Sequence, residues 1–101
     1  MRLVWTTAAK NDLGGIIEYI WFDNPPAAKR IRSRIEATAE HLAGQPHMGR
    51  TGAIVGTREA IPHPSDKIVY QVTEDAVTIL RVIHTARQWP PEADSADEDD
   101  S

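Results

Sequence analysis

The sequence predicts an α+β domain with elements in the order β-α-α-β-β-β, a helix hairpin packed on one face of a mainly antiparallel sheet. Three observations predict it. Two consecutive stretches place apolar residues three and four apart, as amphipathic helices require. The junction Asn24-Pro25-Pro26 separates them and supplies both a stop and a start. Beyond Gly44 the chain becomes a series of short β-prone runs punctuated by glycine, proline and an acidic turn.

Arg2 to Thr6 (RLVWT) is short, apolar and partly β-branched, and reads as a first strand, after which Thr6 or Thr7 caps a helix. From Ala9 the stripe is Leu13, Ile16, Ile17, Ile20 and Trp21, with Lys10, Asp12 and Glu18 mostly off it. Gly14-Gly15 weaken this helix by about 1 kcal/mol each relative to alanine, which fits either close approach of a second helix or flexibility. Asn24 caps the second helix, whose inner face carries Ala28, Ile31, Ile35, Thr38 or Ala39, and Leu42 and which ends at Gly44 with Pro46 beyond. Its outer face holds Lys29, Arg30, Arg32 and Arg34, followed by Glu36 and Glu40, and the basic residues are readable as a solvated surface or as a binding stripe. His47 to Gly52 reads as a loop, Ile54 to Ile61 as a strand, Pro62 and Pro64 as a break, and Lys67 to Val72 as a strand. The connection Thr73-Glu74-Asp75-Ala76 is short enough to force an antiparallel hairpin with the last strand, Val77 to Thr85.

That last strand is apolar on both faces, as a central strand is, yet carries Arg81 and His84. In a regular strand Arg81 falls in phase with Val77, Ile79 and Ile83, and His84 with Leu80 and Val82, so the two project from opposite faces. Arg81 is either paired with a carboxylate or available to a partner. Tyr70 shares the Ile68/Val72 face and reads as core, and Trp89 as a cover for the sheet edge.

With 101 residues and 41% hydrophobic content, the chain makes one domain, assigned to residues 1–90, followed by an acidic tail over 91–101. Six of the fifteen acids lie in the last ten residues, so the net charge of −4 hides a mildly basic folded part. The tail lacks large apolar residues and is expected to be disordered, either solubilising the protein or screening its basic face. The absence of cysteine excludes disulfides, thiol catalysis and cysteine-bound metal. His41, His47, His63 and His84 show no paired ligand spacing, so neither metal nor cofactor is expected. No apolar run approaches the roughly 18 residues of a membrane span and no signal peptide is evident, which makes the cytoplasm the expected location.

Several motifs, in consistent order from about residue 3 to residue 90, resemble one family. They are Ala9-x-x-Asp12-Leu13-x-x-Ile16-x-x-Tyr19-Ile20, Asn24-Pro25-x-Ala27-Ala28, Leu42-x-x-x-Pro46-x-x-Gly49-Arg50, Gly56-Thr57-Arg58-Glu59, Val69-Tyr70 and Ile79-Leu80-Arg81-Val82-Ile83-His84-x-x-Arg87-x-Trp89. Together they resemble the RelE/ParE superfamily of bacterial type II toxins. The resemblance implies a toxin of a toxin–antitoxin module of the plasmid-stabilisation type, held in a hetero-oligomer by a cognate antitoxin that blocks its working surface. In the RelE-like branch such proteins cut messenger RNA on the ribosome without a metal. Arg58, Arg81 and Arg87 would then stabilise phosphate charge, with His84 as base or acid. In the ParE-like branch they bind DNA gyrase and need no catalytic set. The ParE-like branch is favoured, because the folded part is only mildly basic and Lys67 is the only lysine after Arg30. A third expectation is a member without toxicity, acting with its antitoxin as a co-repressor. On any of these readings Arg50, Arg58, Arg81, Arg87 and Trp89 are the expected partner-binding residues.

Overall fold

The computed structural model describes residues 1–84. Two helices lie on one face of a five-stranded mixed sheet, in the element order β1 (Arg2–Trp5), α1 (Thr7–Trp21), α2 (Pro25–Gly44), β2 (Arg50–Thr51), β3 (Arg58–His63), β4 (Asp66–Val72) and β5 (Ala76–His84). The strand order is β1-β5-β4-β3-β2, with β1 parallel to β5 and every other pair antiparallel. The α+β class, the helix hairpin and the interior position of β5 are therefore as expected. Arg87, Trp89 and the 91–101 tail lie outside the described residues.

Local chemistry sets the helix ends. Thr6 is the cap of α1, its Oγ1 accepting from the Ala9 N–H at 3.1 Å, and Asn24 caps α2 by accepting from the Ala27 N–H at 3.1 Å. The inner stripes meet the sheet in one core: Leu13 and Ile16 from α1, Ile35, Ala39 and Leu42 from α2, and Ile68, Tyr70, Val77, Ile79 and Val82 from the strands. Gly14 has open space where a Cβ would stand, so it does not mediate close packing of the second helix. No helix among the described residues is long and apolar enough to cross a membrane.

The strand reading is corrected in four places. Residues 54–57 form a tight turn instead of opening the expected 54–61 strand. Gly52 N–H donates to Thr57 O, Thr57 N–H and Oγ1 both donate to Ile54 O, and Gly56 takes a positive φ of 89°. The turn consumes the backbone groups that a ladder would need, and β3 begins only at Arg58. It then runs through Pro62, with the register shifting between Ala60 and His63 where a proline N–H is missing. Arg50–Thr51, expected as loop, adds the short edge strand β2. In β5 the pairing steps from Tyr70↔Ile79 to Val69↔Arg81, which leaves Leu80 as an extra, bulged residue. The bulge resets the alternation, so Val82 and His84 share the buried face with Val77 and Ile79, and Arg81 does not.

Candidate functional site

The charged residues singled out above fall into three constellations. At one sheet edge β1 ends at Trp5, and among the described residues the far half of β5 has no neighbouring strand on that side. The start of α1 takes its place. Thr6 Oγ1 lies 2.9 Å from Ile79 O and 3.1 Å from Leu80 O, and Asp12 accepts from the Val82 N–H at 2.9 Å. Arg81 completes this corner with a bidentate pair to Asp12, Nε to Oδ2 at 2.7 Å and Nη2 to Oδ1 at 2.9 Å. A helix carboxylate thus substitutes for a strand, and the arginine fixes that carboxylate in place.

At the opposite end of the sheet Tyr70, fully buried, donates its hydroxyl to Pro46 O at 2.8 Å and accepts from the Gly49 N–H at 2.9 Å. Arg58, opposite Tyr70 across the ladder, donates to His47 O and twice to Gly49 O, closest at 2.7 Å. Gly49 is required by this closeness, since a Cβ there would come within 2.5 Å of Glu59 O and 2.6 Å of Tyr70 Oη. On the other face Glu59 gathers Arg50 at 3.2 Å, Lys67 at 3.6 Å and the Ala53 N–H at 3.2 Å. Burial pushes the Glu59 carboxyl up, but the Ala53 N–H, the Arg50 hydrogen bond and the charges of Lys67 and Arg50 outweigh it and hold the carboxyl below its ordinary value.

The third constellation is a buried one. His84 pairs through Nδ1 with Asp66, which is 1% exposed, and Tyr19 of α1 packs edge-on against the imidazole at 6.4 Å between ring centroids. His63 approaches the other Asp66 oxygen at 3.5 Å.

By register, Arg58 shares a face with Tyr70 and Ile79, the side the helices cover, whereas Arg50, Glu59, Val69 and Arg81 belong to the helix-free side. Arg58 and Arg81 are therefore not brought onto one surface, and His84 lies on the covered side. Sequence reasoning missed Asp12 as the partner of Arg81, Glu59 as the partner of Arg50 and Lys67, and Asp66 as the partner of His84. The available signal was weak: Asp12 lies off the apolar stripe of α1, and Glu59 and Asp66 interrupt β-prone runs.

Comparison with known proteins agrees with this architecture. A family model described as "ParE toxin of type II toxin-antitoxin system, parDE" matches residues 3–89. The chain is 40% identical to Y4kP of Sinorhizobium fredii over 90 residues, covering 88% of this chain and 93% of that protein. It is 38% identical to the toxin RelE2 of Caulobacter vibrioides over 86 residues, covering 85% and 97%. Among solved structures, a chain of the chromosomal ParDE system from P. aeruginosa superposes with a TM-score of 0.74 at 23% identity, covering 83% of this chain and 95% of that one.

Proposed function

The chain belongs to the ParE toxin family of type II toxin–antitoxin systems, and from that premise we propose that it arrests growth by binding DNA gyrase, with a cognate antitoxin as its natural partner and inhibitor. One observation carries the choice of binding over cleavage. Metal-independent RNA cleavage needs a base and an acid within reach of a phosphodiester, with cations free to meet the growing charge. Here the His84 side chain is 7% exposed and paired with Asp66, Arg81 is clamped on Asp12, and Arg58 is turned into the loop carbonyls. The described members of the expected catalytic set, Arg58, Arg81 and His84, are thus all held by internal partners.

The test uses two assays on the purified protein, gyrase supercoiling and messenger RNA cleavage on a programmed ribosome. Loss of supercoiling with intact messenger is the expected result, and cleavage with supercoiling untouched overturns the proposal. A ribosome-dependent endoribonuclease is the second reading, favoured by the 38% identity to the protein named RelE2. Growth arrest on expression without antitoxin distinguishes both from a co-repressor that has lost toxicity. The partner-binding role of Arg50, Arg87 and Trp89 stands as part of the same proposal: alanine at these positions lowers gyrase or antitoxin affinity without loss of fold.

A further inference from the structure

Residues 1–84 contain ten Lys and Arg against nine Asp and Glu, yet their charge is unevenly used. Arg32 pairs with Glu36, Arg50 and Lys67 with Glu59, and Arg81 with Asp12, while Arg58 spends its donors on backbone carbonyls. Among the described residues Lys29, Arg30 and Arg34 have no ion-pair partner, and all three are exposed on the outer face of α2. They line a shallow groove with Ala37, His41 and Met48. Arg30, Arg34, Ala37 and His41 are spaced by three and four, so the groove follows one helical stripe directed away from the core. Arg2 and Lys10 also have no ion-pair partner among the described residues, but three of these five cations share this one strip, whose floor is small and apolar.

The same chain carries a matching polyanion. Glu92, Asp94, Asp97, Glu98, Asp99 and Asp100 place six carboxylates in nine residues with no cation among them. Reach is not limiting. Residues 85–91 separate His84 from the first of these acids and span about 24 Å when extended. Tyr19 near the end of α1 packs against His84, and α2 starts at Pro25, a few residues after α1 ends at Trp21, so the first turns of α2, with Lys29 and Arg30, begin near the end of β5. Tethering also raises the local concentration of such a segment into the millimolar range, which favours it over an untethered anion of equal charge.

We propose that the outer face of α2 is an anion-binding strip whose occupant is the acidic segment 92–100 of the same chain. The segment shields Lys29, Arg30 and Arg34 from other polyanions, and raising the salt concentration or supplying a stronger competitor exposes them. This does not depend on whether gyrase or the ribosome is the target.

Zero-length carbodiimide cross-linking of the full-length protein tests it, because the chain has only three lysines, Lys10, Lys29 and Lys67, and so carries its own controls. Lys67, 3.6 Å from Glu59, reports that the reaction works. At low salt, peptides joining Lys29 to the acidic segment should exceed those joining Lys10 to it by about tenfold. The excess should vanish at 1 M salt, where the screening length is about 3 Å, and in a variant carrying Arg30→Glu and Arg34→Glu with an unchanged melting temperature. As a second readout, converting the six acids to their amides in the full chain should move the amide resonances of α2's outer face and leave those of β3 and β4 in place. Equal capture at Lys10 and Lys29, or none at either, overturns the proposal. So does a cross-link joining isotopically labelled to unlabelled chains, which assigns the strip to a second copy.

Discussion

Cations of the sheet and cations of α2 look alike in the sequence and behave differently in the fold. Arg81 and Arg58 sit among apolar strand residues, the setting that most suggests a special role, and both are engaged by internal partners. Lys29, Arg30 and Arg34 sit on a surface helix, the setting that suggests nothing, and they have no ion-pair partner among the described residues. An arginine in a β-strand is costly to leave unpaired, so the fold builds a partner for it; one on an exposed helix face costs almost nothing and is left available. Charge in an unusual place therefore points first to architecture.

The sharpest way to break this comparison is Asp12→Ala, which strips three donors of their acceptor: two nitrogens of Arg81 and the Val82 N–H. A loss of about 2–3 kcal/mol in denaturant unfolding is expected. Combined with Arg81→Ala the two losses should fall well short of additive, as residues of one network do; simple addition would show that the pair is not coupled. Arg58→Ala, which releases the carbonyls of His47 and Gly49, should cost about 1.5–2 kcal/mol and raise hydrogen exchange in the 46–50 loop. Unchanged exchange there would assign Arg58 to a partner and not to the fold.

Glu59 sharpens the comparison through pH. Its folded carboxyl lies below the ordinary value of 4.5, so the stabilisation it provides is fully present above that value and is lost as pH falls through the lower folded value. The stability gap between the native protein and Glu59→Gln should accordingly be constant from neutral pH to about 5 and close in stronger acid. A gap that widens on acidification would reverse the sign assigned to the Arg50, Lys67 and Ala53 contacts. The smallest effect is expected on α2, where alanine at Lys29, Arg30 or Arg34 should change unfolding free energy by no more than about 0.5 kcal/mol each.

How far each feature was legible follows from how local its cause is. Both helices, the Asn24-Pro25 junction and the interior place of the last strand were readable, because periodicity and capping act within a few residues. The 54–57 turn was not. Ile54 and Val55 are strong strand formers, 69% and 98% exposed, and only Gly52, Gly56 and the Thr57 hydroxyl decide against them. The bulge at Leu80 was hidden for a different reason: it is set by the register with β4 and by where β1 stops, neither of which the local pattern records. For the site, the candidate cations could be named, but Asp12 is 69 residues from Arg81 along the chain and the fold alone joins them. The ordered motifs that resemble the toxin family carried what periodicity could not.

The parallel pairing of β1 with β5 ties the first residues of the described chain to the last. During synthesis the helical hairpin leaves the ribosome well before β5, the strand with which β1 pairs, so the amphipathic faces of α1 and α2 wait with their sheet unfinished. A nascent chain interrupted anywhere before Ala76 has no second strand for Arg2–Trp5 to join, and the helix-capping corner at Thr6 and Asp12 has nothing to close on. The five-stranded sheet of the described residues is complete only once β5 has been made.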